Sequence, residues 1–284
     1  MATHAYSTKK SILLLVIVCA ALLAVFAFTD LSISQALVNP SSAWGIFAEW
    51  SSEIPIDFLM MMSFAVLFLQ CIRKKSFGRI LSAVLCFIGT FEYGFFLFFF
   101  SVKYANTKLA IILGTTLGVA LGIGALFLAK KLTAVYAEKL FRAALIVVLS
   151  VLLQEVLINL LKVFWSRPRM RDLTAPYTDF TPWYLPRASA LGGDSFPSAH
   201  TAKAAGACFY VLLCDVNDKL KGKRGLILGM GLLWTVIIAV GRIILAAHFA
   251  SDVTVGAAVM LLSFLIVRSV VDAHLFPQSS REAA

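Results

Sequence analysis

The sequence contains four histidines, and the two that lie away from the terminal tails, His200 and His248, both stand among clustered cations. Three short segments are involved. The first reads Lys162-Val163-Phe164-Trp165-Ser166-Arg167-Pro168-Arg169, and the second Gly193-Asp194-Ser195-Phe196-Pro197-Ser198-Ala199-His200. The third is Gly241-Arg242, with His248 six positions after the arginine and Asp252 four positions after the histidine. Taken singly, each has a structural explanation: flanking cations bind lipid headgroups, a histidine packs or caps, and an i,i+4 pair decorates a helix. Together they suit phosphoryl transfer, in which charge spreads over the equatorial oxygens of an in-line displacement. Arg169 and Arg242 offer planar donor forks, Arg167 competes with Arg169 as the arginine of the first segment, and Lys162 adds a point charge. A helix beginning near Pro197 would aim its first N–H groups, that of Ala199 among them, at the same anion, joined by the Ser198 hydroxyl. His248 can attack phosphorus through an unprotonated ring nitrogen, while Asp252, one turn on, would hold the other ring N–H. A protonated His200 would donate to the leaving oxygen. A metal site built from His200, His248, Asp194 and Asp252 is disfavoured because the neighbouring cations would repel the ion, so no metal or other cofactor is expected.

This arrangement resembles the type 2 phosphatidic acid phosphatase family, which also includes acid phosphatases and vanadium haloperoxidases. The family pattern is Lys, six residues, Arg-Pro; then Pro-Ser-Gly-His; then Ser-Arg, five residues, His, three residues, Asp. Lys162 to Arg169, Pro197 to His200, and Arg242 to Asp252 match it in turn. The resemblance implies that His248 is the nucleophile and forms a phosphohistidine, with His200 as general acid and Asp252 as orienter. It implies that Lys162, Arg169, Ser198 and Arg242 bind the phosphate. Three positions depart from the pattern: Met170 stands where the family has proline, Ala199 replaces glycine, and Gly241 replaces serine. None removes a group with a named catalytic role.

The elements that must position these segments are read from composition and hydropathy. Apolar residues make up 60% of the 284-residue chain and charged residues 14%, against roughly 45–50% and about 25% in soluble domains. That excess excludes an ordinary soluble fold, and the 23 phenylalanines exclude disorder. Apolar runs near the length of a membrane span occur at about 11–29, 54–72, 81–102, 109–129, 139–161, 198–215, 224–243 and 252–271. The expected fold is all-α: a polytopic membrane helical bundle of about eight spans, containing the six-helix core that the resemblance implies. One integral membrane domain, 1–284, is expected, with a motif-bearing core at 139–271. Residues 30–53 alternate apolar and polar positions and are expected along the outer membrane surface; 163–197 form a long outer loop. Gly114, Gly118 and Gly122 recur every four residues, a close-packing helix face in lipid.

The net charge of +10 follows this topology rather than a nucleic-acid stripe. Placing both termini in the cytoplasm puts most of the 25 Lys and Arg inside, including Lys9, Lys10, Arg73 to Arg79, Lys130 to Arg142 and Lys219 to Arg224. The exceptions cluster at the outer face with the three segments. The expectation is a multi-pass protein of the cytoplasmic (inner) membrane acting at its outer, periplasmic face on a membrane lipid phosphate, with no obligate protein partner. Undecaprenyl diphosphate, phosphatidylglycerol phosphate, phosphatidic acid and lipid A phosphates are the expected candidates, the arginine-rich first segment resembling family members that act on lipid A or prenyl diphosphate. A phosphotransferase differs only in the acceptor, and an anion or lipid transporter would use the cations without needing His248.

Overall fold

The computed structural model describes residues 2–73, 76–103, 106–187 and 192–276. Lys74, Lys75 and Arg281, among the cations assigned to the cytoplasm, lie outside them, as do residues 188–191 of the long loop. Every regular element among the described residues is helical. Helix α1 spans Ala2–Leu37, α2 Ala43–Ser51, α3 Ile54–Cys71, α4 Phe77–Val102 and α5 Thr107–Trp165. After the long loop come α6 (Ala199–Ala205), α7 (Leu213–Val216), α8 (Arg224–Ile244) and α9 (Ala250–His274).

Among the described residues, six helical stretches are long and apolar enough to cross a bilayer: Lys9–Leu37, Ala43–Cys71, Phe77–Val102, Thr107–Asp172, Asp218–Ile244 and Ala250–His274. Their large hydrophobic side chains stay exposed, as with Phe28, Val156 and Leu233, which only a hydrocarbon solvent tolerates on this scale. The chain is a membrane protein. The expected spans 109–129 and 139–161 fall within the single element α5, whose backbone leaves the helical region at Tyr136 (φ −125°, ψ 32°). The expected span 198–215 is not one regular helix. Gly206 closes α6, and residues Gly206–Leu212 continue as a 3₁₀ segment into α7.

The chain forms two compact units. The second comprises Glu53–Ser150, Ala207–Met230 and Val270–Ala284. Within it, α4 and α5 approach to backbone contact: a Cβ on Gly118 would lie 2.7 Å from the Gly94 carbonyl, and one on Gly114 2.6 Å from the Phe95 ring. The glycine stripe is therefore a packing face. A buried ionic clamp fixes another part of this unit: Arg142 donates to both oxygens of Asp272 (2.5 and 2.7 Å) and to Asp215 (3.2 Å).

The first unit comprises Met1–Ser52, Val151–Gly206 and Gly231–Ser269, and it contains all three motif segments. Residues 30–53 are mostly helical rather than extended, and they bury only part of their surface. Helix α1 continues through Leu37, burying Asp30 and Ser34 at helical spacing. Helix α2 is capped by the Ser42 hydroxyl, which accepts from the Gly45 N–H, and it buries Gly45, Ala48 and Ser51. The period-two alternation is overridden because these buried positions recur every three or four residues.

Candidate active site

Local backbone geometry delivers each motif. Ser166, in the left-handed region (φ 43°), ends α5 and turns the chain so that Arg167 points inward. Gly193 then passes so close that a Cβ there would sit 2.4 Å from the Arg167 carbonyl; the Ser195 N–H donates to that carbonyl at 2.9 Å. At the end of α8, Ala246 adopts φ 54°, and the Ala247 N–H donates back to the Arg242 carbonyl (3.2 Å). This left-handed helix termination usually takes glycine, so the turn that presents His248 is held under strain of about 1 kcal/mol.

Backbone bonds join the segments. Arg171 N–H donates to the Ala246 carbonyl (3.0 Å), and Ser198 N–H to the Asp252 carbonyl (3.0 Å). His248 Nδ1 lies 2.7 Å from the Ser195 carbonyl. A carbonyl can only accept, so Nδ1 carries the proton and Nε2 keeps its lone pair. Asp252 Oδ2 lies 3.8 Å from Nδ1. The expected direct hold by Asp252 is thus replaced by the Ser195 carbonyl, and Asp252 acts through its charge. Its oxygens are taken by the Arg167 guanidinium (2.6 Å), the Ser195 hydroxyl (2.5 Å) and the Phe249 N–H (2.8 Å).

Arg167 is not a phosphate ligand in this arrangement. It is 1% exposed, with its donors on Asp252, on Asp30 (3.0 Å), on the Ser251 hydroxyl (2.8 Å) and on the Thr181 carbonyl (2.8 Å). Phe249 and Phe180 flank its guanidinium carbon at 4.2 and 5.4 Å. Ser251 in turn donates its N–H (2.9 Å) and hydroxyl to Asp30. Buried ions require such complete pairing. Met170, at the position where proline was expected, fills the adjoining apolar cluster with Leu173, Ala246 and Phe249.

Three other expected cations do assemble near His248. Arg169 donates to Asp194 Oδ2 (2.7 Å), and Lys162 Nζ lies 3.8 Å from the same oxygen. Arg242 donates to Glu49 on α2 (2.6 Å). Burial pushes His248 down to about 4, with repulsion from Arg242 and Arg169 acting the same way against the pull of Asp252. Burial would raise the Asp194 carboxyl, but Arg169 and Lys162 outweigh it and hold it below the ordinary carboxylate value. Ser198 is wholly buried; its hydroxyl caps α6 by accepting from the Thr201 N–H (3.3 Å) and pairs with the Thr201 hydroxyl (3.0 Å). Ala199 opens α6, and His200 follows in its first turn, partly exposed. Lys203, one turn further, reaches Glu155 (3.6 Å).

Asp30, Glu49 and Ser195 escaped the sequence reading as contributors to the site. The only available signal was an acidic group beside or within an apolar run, which in a membrane protein defaults to a functional role. Gly241, where serine was expected, also has its explanation in α2. A Cβ there would meet the Ala48 Cβ at 2.2 Å, so the helix that brings Glu49 to Arg242 excludes any side chain.

Residues 143–275 match the family model described as the PAP2 superfamily. The coarse activity that this match suggests is phosphatase action on phosphorylated substrates. No curated protein and no solved structure matches the chain.

Proposed function

Because residues 143–275 make this chain a member of the PAP2 superfamily, we propose that it is a membrane lipid phosphatase removing the terminal phosphate of a lipid mono- or diphosphate through a phosphohistidine. The observation that carries this reading is the 2.7 Å contact of His248 Nδ1 with the Ser195 carbonyl. It leaves Nε2 unprotonated, and the depressed basicity of the ring keeps it so at neutral pH.

In the first step Nε2 attacks phosphorus, the N–P bond forms, the P–O bond to the lipid breaks, and protonated His200 gives its proton to the leaving oxygen. The phosphoimidazolium that results is balanced by the nearby Asp252 carboxylate. Water, deprotonated by His200, then cleaves the N–P bond and returns inorganic phosphate. Lys162, Arg169 and Arg242 neutralise the equatorial oxygens, the charge-stabilising duty that fixed cations can carry without a metal. The six apolar stretches let the lipid chain stay in hydrocarbon while the headgroup reaches the cations. The Lys/Arg bias supports an outer-face site in a cytoplasmic membrane. Phosphate release by the detergent-purified protein from a panel of lipid phosphates, with EDTA and with vanadate, tests this. EDTA-resistant, vanadate-blocked release that is lost in His248→Ala is expected. Anion or lipid transport surviving His248→Ala without hydrolysis would overturn it.

A further inference from the structure

We propose that Asp194 is a movable counter-ion seated where the substrate phosphoryl group binds, and that it sets which oxyanions the site retains. The inference rests on the phosphatase reading. One Asp194 oxygen bridges Arg169 (2.7 Å) and Lys162 (3.8 Å), the position a phosphate oxygen needs. Formal charge shows the consequence. Lys162, Arg169 and Arg242 face two carboxylates, Asp194 and Glu49, which leaves a surplus of one positive charge. With Asp194 withdrawn the surplus is two, matching a phosphomonoester dianion.

Exposure identifies which carboxylate can withdraw. The Asp194 side chain is 55% exposed, whereas Glu49 is 18% exposed and its partner Arg242 1%. The backbone next to Asp194 cannot follow. Gly193 is jammed against the Arg167 carbonyl, and Ser195 is tied at its N–H to Arg167 and at its carbonyl to His248. Withdrawal is therefore a side-chain rotation, fast in itself, whose cost is the loss of the contacts with Arg169 and Lys162. His248 is itself 1% exposed, so substrate entry requires local side-chain movement at this site. A lipid phosphate brings binding energy from its chain to displace Asp194; free phosphate, the product, brings none. Asp194 thus favours the lipid ester and expels inorganic phosphate.

The test compares wild type, Asp194→Asn and Asp194→Glu as full-length, detergent-solubilised protein, with inhibition of lipid-phosphate hydrolysis by inorganic phosphate and by orthovanadate as readout. Removing one half-exposed carboxylate from beside two cations should tighten both inhibition constants by about tenfold, allowing for solvent and salt screening. Asp194→Glu should restore values near wild type. If Asp194→Asn does not yield folded protein, Asp194→Ser carries the same expectation. Unchanged or weaker inhibition in a folded variant, with wild-type hydrolysis still blocked by vanadate, would overturn the counter-ion role alone. Wild-type protein that releases no phosphate from any lipid would instead overturn the phosphatase reading, and this proposal with it.

Discussion

Arg167 and Arg169 are two positions apart, yet the structure gives them opposite work, and substituting each separates the two. Arg167→Ala would strand two buried carboxylates, Asp30 and Asp252, which are 2% and 0% exposed. Breaking a buried pair from one side costs about 3–5 kcal/mol, and the lost packing against Phe249 and Phe180 adds to it. At the roughly 2–4 °C per kcal/mol expected for a chain of this size, the unfolding midpoint in detergent should fall by about 6–20 °C. Arg169→Ala removes a side chain that is 18% exposed and bonded to the half-exposed Asp194. That should leave the midpoint within a few degrees while weakening vanadate inhibition about tenfold or more, the loss of one charge-assisted contact to the anion. The assay is a thermal melt on each variant, paired with vanadate titration of whatever activity remains. A stable Arg167→Ala protein with weakened vanadate inhibition would refute the reasoning. It would return Arg167 to the phosphate-binding role that its sequence position first suggested.

The depressed His248 value of about 4 makes two statements about pH. The acid limb of kcat/KM, where it reports the free nucleophile, should lie well below the ordinary histidine range near 6.5. A His248 ring seen by NMR to titrate near 6.5 in the folded protein would contradict the burial. For stability, the unfolded chain takes up the His248 proton first, so this contribution is intact above about pH 6.5. It erodes by about 3 kcal/mol as pH falls to 4, seen as a falling melting midpoint that flattens in His248→Gln. Gly241→Ser, which restores the residue the family pattern favours, should destabilise by about 1–3 kcal/mol through overpacking against Ala48. Ala48→Gly should recover most of that loss; a neutral Gly241→Ser would show that α2 yields easily.

The catalytic candidates were legible because their spacing is local. His248 and Asp252 sit at a helical interval, and the Arg242-to-His248 gap measures the strained turn at Ala246. What stayed hidden depends on contacts between distant parts of the chain. Asp30 meets Arg167 across 137 positions and Glu49 meets Arg242 across 193, and no periodicity records such pairings. Arg167 and Arg169 could not be told apart by type. The left-handed Ser166 decides which one turns inward, and serine does not advertise that conformation. The apolar runs gave the helical class and the glycine stripe correctly. They could not show that 198–215 breaks into α and 3₁₀ pieces, because hydropathy averages over a window and says nothing about hydrogen-bond register.

Asp30 and Glu49 both precede the stretch shared with the superfamily, which sets a rule for anyone cutting or splicing this protein. A transplant of 143–275 behind a foreign front end would carry the nucleophile and its cations intact. It would arrive without the two acids that neutralise Arg167 and anchor Arg242, so the borrowed half should be inert until those acids are supplied along with it.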